Sequence, residues 1–254
     1  MIRFATGVES EQIVNLWQEA FGDSRSWVLL YLGENIDNVL IYEEDGVVMC
    51  MLSLLPVSYK GKNGYYVYGV ATGKLYRSKG ISTKLLTYAK ALVEKKDVDF
   101  LVLVPRNEGL FNFYGERGFF PMACVETQEF CREELMSLEC GSEVTNATQK
   151  EYYDIRRAHF ENLIEWDSDM LSSIKRFENG EYYKDNSGNG AFCYAYDGKL
   201  YVKELCGSMA VLAEIVEKYD CEAVLVTRKS DSQKPSCMVY PEFFEDVFFN
   251  ISID

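Results

Sequence analysis

The sequence predicts an α+β fold, in which a mixed, mostly antiparallel sheet is flanked by helices and a second, smaller α+β domain follows in the chain. Two turn sequences, Glu44-Asp45-Gly46 and Gly61-Lys62-Asn63-Gly64, lie between apolar runs and predict antiparallel strands early in the sheet. After Ala71 the order changes to strand, helix, strand, helix, which adds parallel pairing. The 254 residues are 48% hydrophobic, enough for one large or two modest domains.

Hydrophobic spacing places the elements of the first half. Helical spacing predicts one helix over 10–21, ended by Gly22, and a second over 24–32. Trp27 and Tyr31 on the second helix either line a pocket or pack in the core, and the pattern fits both. Apolar and β-branched runs predict strands over 2–6, 38–42, 47–59, 65–71, 98–104 and 119–129.

The stretch 65–82 joins an apolar strand to an amphipathic helix through a short loop. The loop residues 77–82 carry two cations and little side-chain bulk. Because the first N–H groups of a helix are unpaired and its dipole favours negative charge, we expect an anion site here. The spacing fits neither a Walker loop nor a dinucleotide fingerprint. An ordinary strand–turn–helix connection has the same appearance.

The order Arg77-x-x-Gly80-x-Ser82, preceded by Val-Ala-Thr, resembles the pyrophosphate loop of the GNAT superfamily of N-acetyltransferases. The pattern of that family is Gln/Arg-x-x-Gly-x-Gly/Ala. Ser82 departs from the last position, although it keeps a small side chain there. The resemblance covers about the first half of the chain.

A second stretch is similar to the other half of the cofactor site in the same family. A buried strand is followed by Asn107 and by a short helix that carries Phe113 and Tyr114 and closes at Gly118-Phe119. Two motifs in the family's order, one helix apart, support each other because a motif is confirmed by its context.

The resemblance implies acetyl-CoA as co-substrate and transfer of its acetyl group to a primary amine of a small molecule or peptide, by direct attack on the thioester. Backbone N–H groups of the loop would hold the pyrophosphate, and the strand margin at 69–72 would pair with the pantetheine arm. Gly69 would allow a close approach or a bulge. The cofactor-binding residues expected are Val70, Ala71, Thr72, Arg77, Ser78, Lys79, Gly80, Ile81, Ser82, Thr83, Asn107 and Phe111, with Val70 or Ala71 donating to the thioester oxygen.

Tyr114 is the expected general acid, since the resemblance places a Tyr beside the sulfur and a phenol can donate to a departing thiolate. A core role beside neighbouring aromatic residues is the competing interpretation. The general base is not visible. In some tandem members of the family the chain terminus enters the active site, which makes Asp254 a weak candidate.

Composition excludes several other classes of function. The net charge of −14 argues against a nucleic-acid surface and favours a cationic amine, although acidity also aids solubility. The eight cysteines are without Cys-x-x-Cys spacing and are predicted to be buried free thiols of a cytoplasmic protein, with no metal site around His159. The start of the chain has no signal-peptide pattern, and the apolar run 47–57 is too short to span a bilayer, so no membrane role is expected.

A shift to polar composition predicts a domain boundary near Gly141, which gives an acetyltransferase domain over 1–135 and a second domain over 141–254. Beyond it we expect a strand over 143–147, helices over 149–160, 167–177 and 209–219, a loop over 179–190, a hairpin over 191–205 and a strand over 222–226. This order echoes the first half. The second domain is therefore either a degenerate GNAT copy, with Cys206-Gly207-Ser208 in place of the phosphate loop, or an unrelated α+β domain of similar order.

Three functions remain open, one of which is the transfer of another acyl group, such as an aminoacyl group or a longer chain, to the amine. An acetyl-CoA-dependent N-acetyltransferase is the leading one, supported by Tyr114. A catalytically inactive protein that binds or senses acyl-CoA is the alternative, favoured by Ser82 and by the missing base.

Overall fold

The computed structural model describes residues 1–122, 125–229, 235–242, 247 and 249. They form two compact units. The first unit consists of residues 1–121 together with the strand Cys237–Tyr240, and the second consists of the described residues of 122–236 with 247 and 249.

The first unit follows the predicted order of elements closely. Its elements are β1 (Ile2–Phe4), α1 (Ser10–Phe21), α2 (Arg25–Asn35), β2 (Val39–Glu44), β3 (Val47–Tyr59), β4 (Lys62–Thr72), α3 (Ile81–Glu94), β5 (Phe100–Leu103), α4 (Glu108–Gly115) and β6 (Phe120–Met122). The second unit contains β7 (Val125–Cys131), α5 (Arg132–Met136), β8 (Val144–Asn146), α6 (Gln149–His159), β9 (Glu165–Trp166), α7 (Ser168–Phe177), β10 (Glu181–Asp185), β11 (Gly190–Tyr196), β12 (Lys199–Cys206), α8 (Val211–Glu217) and β13 (Ala223–Lys229), after which β14 (Cys237–Tyr240) belongs to the first.

The first sheet is mixed and mostly antiparallel, as the sequence predicts. Its strands lie in the order β1-β2-β3-β4-β5-β14-β6. The successive pairs from β1 to β4 are antiparallel, β4 and β5 are parallel, and β14 runs antiparallel to β5. Helix α3 makes the crossover between the parallel strands and buries Ile81, Leu85 and Ala89 in the core. The Asp45-Gly46 hairpin turn is confirmed, with φ of 50° and 77° at its two central residues. The second turn lies at Lys60-Gly61 and not over 61–64 as predicted, because residues 62–64 already pair with β3 as the start of β4.

The second unit repeats this topology. Its sheet runs β8-β10-β11-β12-β13-β7, and only the β12–β13 pair is parallel. Two helices again separate the first two strands, and one helix again connects the parallel pair. The fourth strand of each sheet, counted from β1 and from β8, also carries a bulge, at Gly69 in β4 and at Lys203 in β12.

The last strands of the two sheets are exchanged along the chain. β7 follows β6 in sequence but pairs with β13 of the second sheet, whereas β14 follows β13 and pairs with β5 of the first. The prediction of one strand over 119–129 is therefore wrong, because β6 and β7 belong to different sheets. For the same reason the packing divides the chain near Pro121, ahead of the boundary expected near Gly141.

Three further expectations need correction or completion. The predicted loop 179–190 contains β10, whose Tyr182 and Tyr183 are buried against the second core. β9 and β14 were not predicted. Cys131 is exposed and Cys140 is half-buried, whereas the other described cysteines are buried free thiols, and Cys124 lies outside the described residues.

A charged pair is buried within the second unit. The Arg156 guanidinium on α6 donates to the Glu204 carboxylate on β12 over 2.5 and 3.1 Å, and both side chains are excluded from solvent. The Tyr152 hydroxyl donates to the same carboxylate over 2.8 Å. This position on the helix corresponds to Trp17 on α1, which packs against the bulge of the first unit.

We predict that Gly69→Ala destabilises the first unit. Gly69 has a φ of +60°, and an added Cβ would lie 2.9 Å from Cη2 of the Trp17 ring. Strain and overpacking together should lower the free energy of unfolding by about 2 kcal/mol or more, measured by urea denaturation. Gly33→Ala is the matched control: Gly33 lies on α2 with open space around it, and the substitution should stabilise the helix by up to about 1 kcal/mol. Equal stability of the two variants would contradict this account of the bulge.

Candidate functional site

One edge of β4 is open at the place where the sequence predicts the pantetheine arm. The parallel pairing with β5 covers only Gly64 to Tyr66, and β5 ends at Leu103. Strand β4 continues to Thr72, and within the described part of the chain residues 67–72 pair only with β3. The backbone groups that point away from β3 are thus left for another partner.

The register shows which residues of β4 face this open edge. The Gly73 N–H donates to the Met49 carbonyl over 3.0 Å, so these two residues form a hydrogen-bonded pair. Such pairs recur at every second residue of an antiparallel ladder, and Ala71 and Met51 are therefore the next hydrogen-bonded pair. Thr72 lies between these two pairs opposite Cys50, in a non-hydrogen-bonded pair. The N–H and C=O of Thr72 therefore point to the open edge, and the side chain of Arg77 donates to that carbonyl over 3.0 Å.

The loop after β4 leads directly into the exposed N-terminus of α3. Ser78 and Gly80 adopt left-handed backbone conformations, with φ of 61° and 72°, and Gly80 is the N-cap residue. The helical ladder begins with the Lys84 N–H donating to the Gly80 carbonyl, which leaves the N–H groups of residues 81–83 outside it. The side chains of Arg77 to Gly80 are exposed, Ile81 is buried in the core, and Ser82 and Thr83 are half-buried. This is the geometry of an anion site.

Tyr114 lies under this region in the core of the first unit. Its ring contacts Phe113 and Phe119 edge-on, with centroids 5.1 and 5.8 Å apart, and 7% of the residue is exposed. Burial raises the pKa of Tyr114 to about 12, while the positive charge of Arg117 lowers it by less and Cys50 adds a small increase. The phenol is therefore protonated across the physiological range, as a proton donor must be. Its hydroxyl has no hydrogen-bond partner among the described residues.

Cys50 on β3 lies in the same core as Tyr114 and contacts Thr72 of β4. Its thiol lies 3.1 Å from the Thr72 hydroxyl, across the non-hydrogen-bonded pair. Burial raises the pKa of Cys50 to about 11, against smaller effects of Thr72 and the Met51 backbone. A neutral, buried thiol at this place packs the wall of the site and is not a nucleophile.

Asn107 begins the helix that carries Tyr114. Its side-chain carbonyl accepts the Leu110 N–H over 3.0 Å, so the residue caps α4 and keeps its amide NH₂ for another acceptor. Phe111, also expected at the cofactor, is half-buried on the same helix beside the first core.

One residue near the loop, Arg117, has no role predicted from the sequence. Arg117 follows α4, and its guanidinium donates to the Thr83 hydroxyl in the first turn of α3 over 3.0 Å. It also lies 3.5 Å above the Phe113 ring. The sequence shows an arginine between Tyr114 and Gly118-Phe119. Its direction toward α3 is set by the turn after α4, which the sequence pattern does not predict.

Aromatic rings from α1, α2 and β4 surround the bulge. The Trp17 ring lies 4.9 Å from Tyr31 and 5.6 Å from Tyr68, and Trp27 stacks on Tyr31 at 5.7 Å. Tyr31 is fully buried and Trp27 is half-buried. Tyr31 is thus a core residue, and of the two predicted pocket residues only Trp27 keeps an accessible face.

The corresponding place in the second unit is filled by its own side chains. A Cβ on Gly207 would collide with Asn189 Oδ1, which already accepts the Ser208 N–H over 2.9 Å. The next helix, α8, spans seven residues and begins only at Val211. The buried charge of Glu204 lies beside the bulge of β12. The anion-site geometry of the first unit is absent from the described residues of the second.

The comparison with protein families finds a match in the first unit. Residues 1–122 match the family model of the acetyltransferase (GNAT) domain. These residues contain the open strand edge, the loop and Tyr114. Over these 122 of the chain's 254 residues the first unit is similar to the GNAT acetyltransferase domain, in agreement with its motifs. No curated protein matches the sequence.

Solved structures share the fold across both units. A GCN5-related N-acetyltransferase from Kribbella flavida is 15% identical and aligns with a TM-score of 0.72, over 94% of this chain and 70% of its own. A GCN5-related N-acetyltransferase from Anabaena variabilis is 13% identical, with a TM-score of 0.72 over 94% and 72%. A putative acetyltransferase from Pyrococcus horikoshii is 16% identical, with a TM-score of 0.64 over 94% and 87%. At these identities the likeness concerns the fold alone.

Neither a cluster of metal-ligating side chains nor a membrane-spanning helix occurs among the described residues. No group of three or more metal-ligating side chains is assembled there, and His159 contacts the Gly188 carbonyl. No helix among them has the length and apolar character needed to cross a bilayer. Asp254, the candidate base, lies outside the described residues.

We predict that Asn107 stabilises the folded protein as the N-cap of α4, an effect that can be measured in the absence of any ligand. Asn107→Ala should lower the free energy of unfolding by about 1 kcal/mol, because the Leu110 N–H loses its acceptor. Asn107→Asp keeps a capping oxygen and should unfold at nearly the urea concentration of the unmodified protein. If both variants lose the same stability, Asn107 does not act as the cap.

Proposed function

We propose that the first unit transfers the acetyl group of acetyl-CoA to a primary amine of a small molecule or peptide. One observation carries this proposal: the open edge of β4 ends at Thr72, a few residues before the exposed N-terminus of α3. A ligand with an amide-rich arm and a diphosphate fits that succession of a strand edge and an anion site.

The cofactor is held by backbone groups more than by side chains. The N–H groups of residues 81–83 and the dipole of α3 bind the diphosphate, and the exposed Arg77, Ser78 and Lys79 add charge and hydrogen bonds. Ser82 is half-buried and leaves the helix end accessible in place of the family's Gly or Ala. The pantetheine amides pair with Thr72, and the free NH₂ of Asn107 donates to the same arm.

The thioester oxygen is stabilised by one backbone N–H at the bulge. Of the two donors expected there, Ala71 is paired with Met51, so the donor is Val70. A positioned amide stabilises the oxygen as negative charge develops in the transition state.

The amine attacks the thioester carbon directly. The new C–N bond forms, the C–S bond breaks, and the departing thiolate takes the proton of the Tyr114 hydroxyl. The amine's own proton passes through water to one of the acidic side chains of the first unit. The chain's net charge of −14 favours the approach of a cationic amine.

An inactive acyl-CoA-binding protein is the second candidate, because no base is assigned and Ser82 departs from the family pattern. The two functions differ in thiol release. Incubation of acetyl-CoA with a panel of primary amines, followed by colorimetric detection of free CoA thiol, gives amine-dependent release for the transferase. Binding of CoA in calorimetry without release from any amine would support the sensor instead.

We predict one CoA site per chain, located in the first unit. Isothermal titration calorimetry should give a stoichiometry near one, since the second unit lacks the loop geometry. Arg77→Gln should weaken CoA binding about tenfold and reduce its salt dependence, because one charge beside the phosphates is lost. Lys150→Gln on α6 removes an equally exposed cation and should leave the affinity unchanged. Two sites per chain would contradict the assignment of the second unit.

We predict that Tyr114→Phe lowers kcat on the order of 100-fold, since general acid catalysis contributes about that much or more. The Kd for CoA should change by less than about threefold, because the ring and its packing remain. Steady-state kinetics and calorimetry on the same preparation measure the two values. Unchanged turnover would remove Tyr114 from the role of acid and leave it a core residue.

A further inference from the structure

Arg117 bridges the anion-binding helix and the helix that carries Tyr114. Its Nε donates to the Thr83 hydroxyl on α3 over 3.0 Å, and its Nη1 donates to the Phe113 carbonyl at the end of α4 over 2.5 Å. The guanidinium also stacks on the Phe113 ring at 3.5 Å. These contacts from two helices fix the orientation of the guanidinium, whose side chain is 21% exposed. Its Nη1 also lies 3.6 Å from the carboxylate of Glu116, an exposed side chain that water screens.

The turn after α4 explains why Arg117 points back toward both helices. The N–H groups of Arg117 and Phe119 both donate to the Tyr114 carbonyl, and Gly118 supplies the left-handed conformation, at φ +83°, that reverses the chain. Lys90 on α3 donates to the Arg117 carbonyl over 2.7 Å. Helix α3 therefore contacts this turn twice: Lys90 donates to the Arg117 carbonyl, and Thr83 accepts from the Arg117 side chain.

This placement matters for the proton that Tyr114 gives away. When the phenol donates to the thiolate it becomes a phenolate in a buried site, which is costly unless a positive charge lies close by. The Arg117 guanidinium lies 3.5 Å from the centre of the Phe113 ring, which in turn contacts the Tyr114 ring at 5.1 Å, and its charge lowers the pKa of Tyr114 against the larger effect of burial. It also sits at the C-terminal end of α4, where a cation is favoured by the helix dipole.

We propose that Arg117 is a positioning residue, held by Thr83 and Phe113, whose charge stabilises the ionised form of Tyr114 during transfer. The inference rests on the proposed function, since it needs Tyr114 to act as the acid. It adds a link between the two halves of the site: the helix that binds the diphosphate also fixes the charge that assists proton transfer.

The test is a double-mutant cycle on the full chain. Arg117→Met should lower kcat about tenfold in the wild-type background, the size expected for one charge-assisted interaction, and less than about twofold in the Tyr114→Phe background. Arg117→Lys matches Met in length and restores the charge, so it should recover most of the loss. The Kd for CoA, measured by calorimetry, should stay within about threefold in each variant. Lys95→Met, which removes an exposed cation at the far end of α3, is the control.

The outcomes separate the two proposals. If Arg117→Met costs the same factor with and without the Tyr114 hydroxyl, or if Lys rescues no more than Met, Arg117 is only a packing residue and the inference is overturned. A loss of CoA binding with kcat unchanged at saturation would also overturn it and would make Arg117 a cofactor ligand. If the wild-type protein binds CoA but releases no thiol with any amine, the proposed transfer fails, and the inference fails with it.

Discussion

The bulge at Gly69 is the constraint on which the site depends. Gly69 adopts a positive φ, and the Trp17 ring packs where a Cβ would otherwise lie. This conformation allows β4 to take one extra residue opposite β3. The extra residue resets which backbone groups point away from β3 and, at Thr72, directs an N–H and a C=O to the open edge. The short pairing between β4 and β5 leaves that edge without a partner. Local backbone geometry, more than any reactive side chain, thus creates the binding surface.

The two units show what one topology permits when its inner side chains change. Both sheets have the same order and both fourth strands are bulged. In the first unit a neutral indole packs on a glycine, and the strand edge beside it stays accessible. In the second unit the corresponding helix position carries Arg156, whose charge requires Glu204 as its partner, and the pair with Tyr152 fills the space. The helix position that packs near the bulge thus carries a neutral ring in one unit and a buried charge in the other, within the same topology.

The sequence was sufficient for the elements with strong local signals and insufficient for contacts made across the chain. The strand–loop–helix at 65–82, the Asp45-Gly46 turn and the capped helix after Asn107 follow from residue types at short spacing. The division of 119–129 between two sheets does not, because it depends on pairing Val125–Cys131 with residues about 100 positions away. The strand at 181–185 was hidden by the Gly and Asn residues on both sides of it, at 179–180 and at 186–190. Arg117 was overlooked because its direction is set by Gly118 and by the Thr83 hydroxyl, which no periodicity reveals.

Because the last strands of the two sheets are exchanged along the chain, no single cut in the chain separates one complete unit from the other. A fragment that ended near residue 122 would lack β14, and the edge of β5, where Leu101 and Val102 are fully buried, would be uncovered. Such a flat apolar edge is prone to join other chains. A gene fragment that encodes only the sequence matched by the acetyltransferase family would therefore yield a polypeptide that is prone to aggregate.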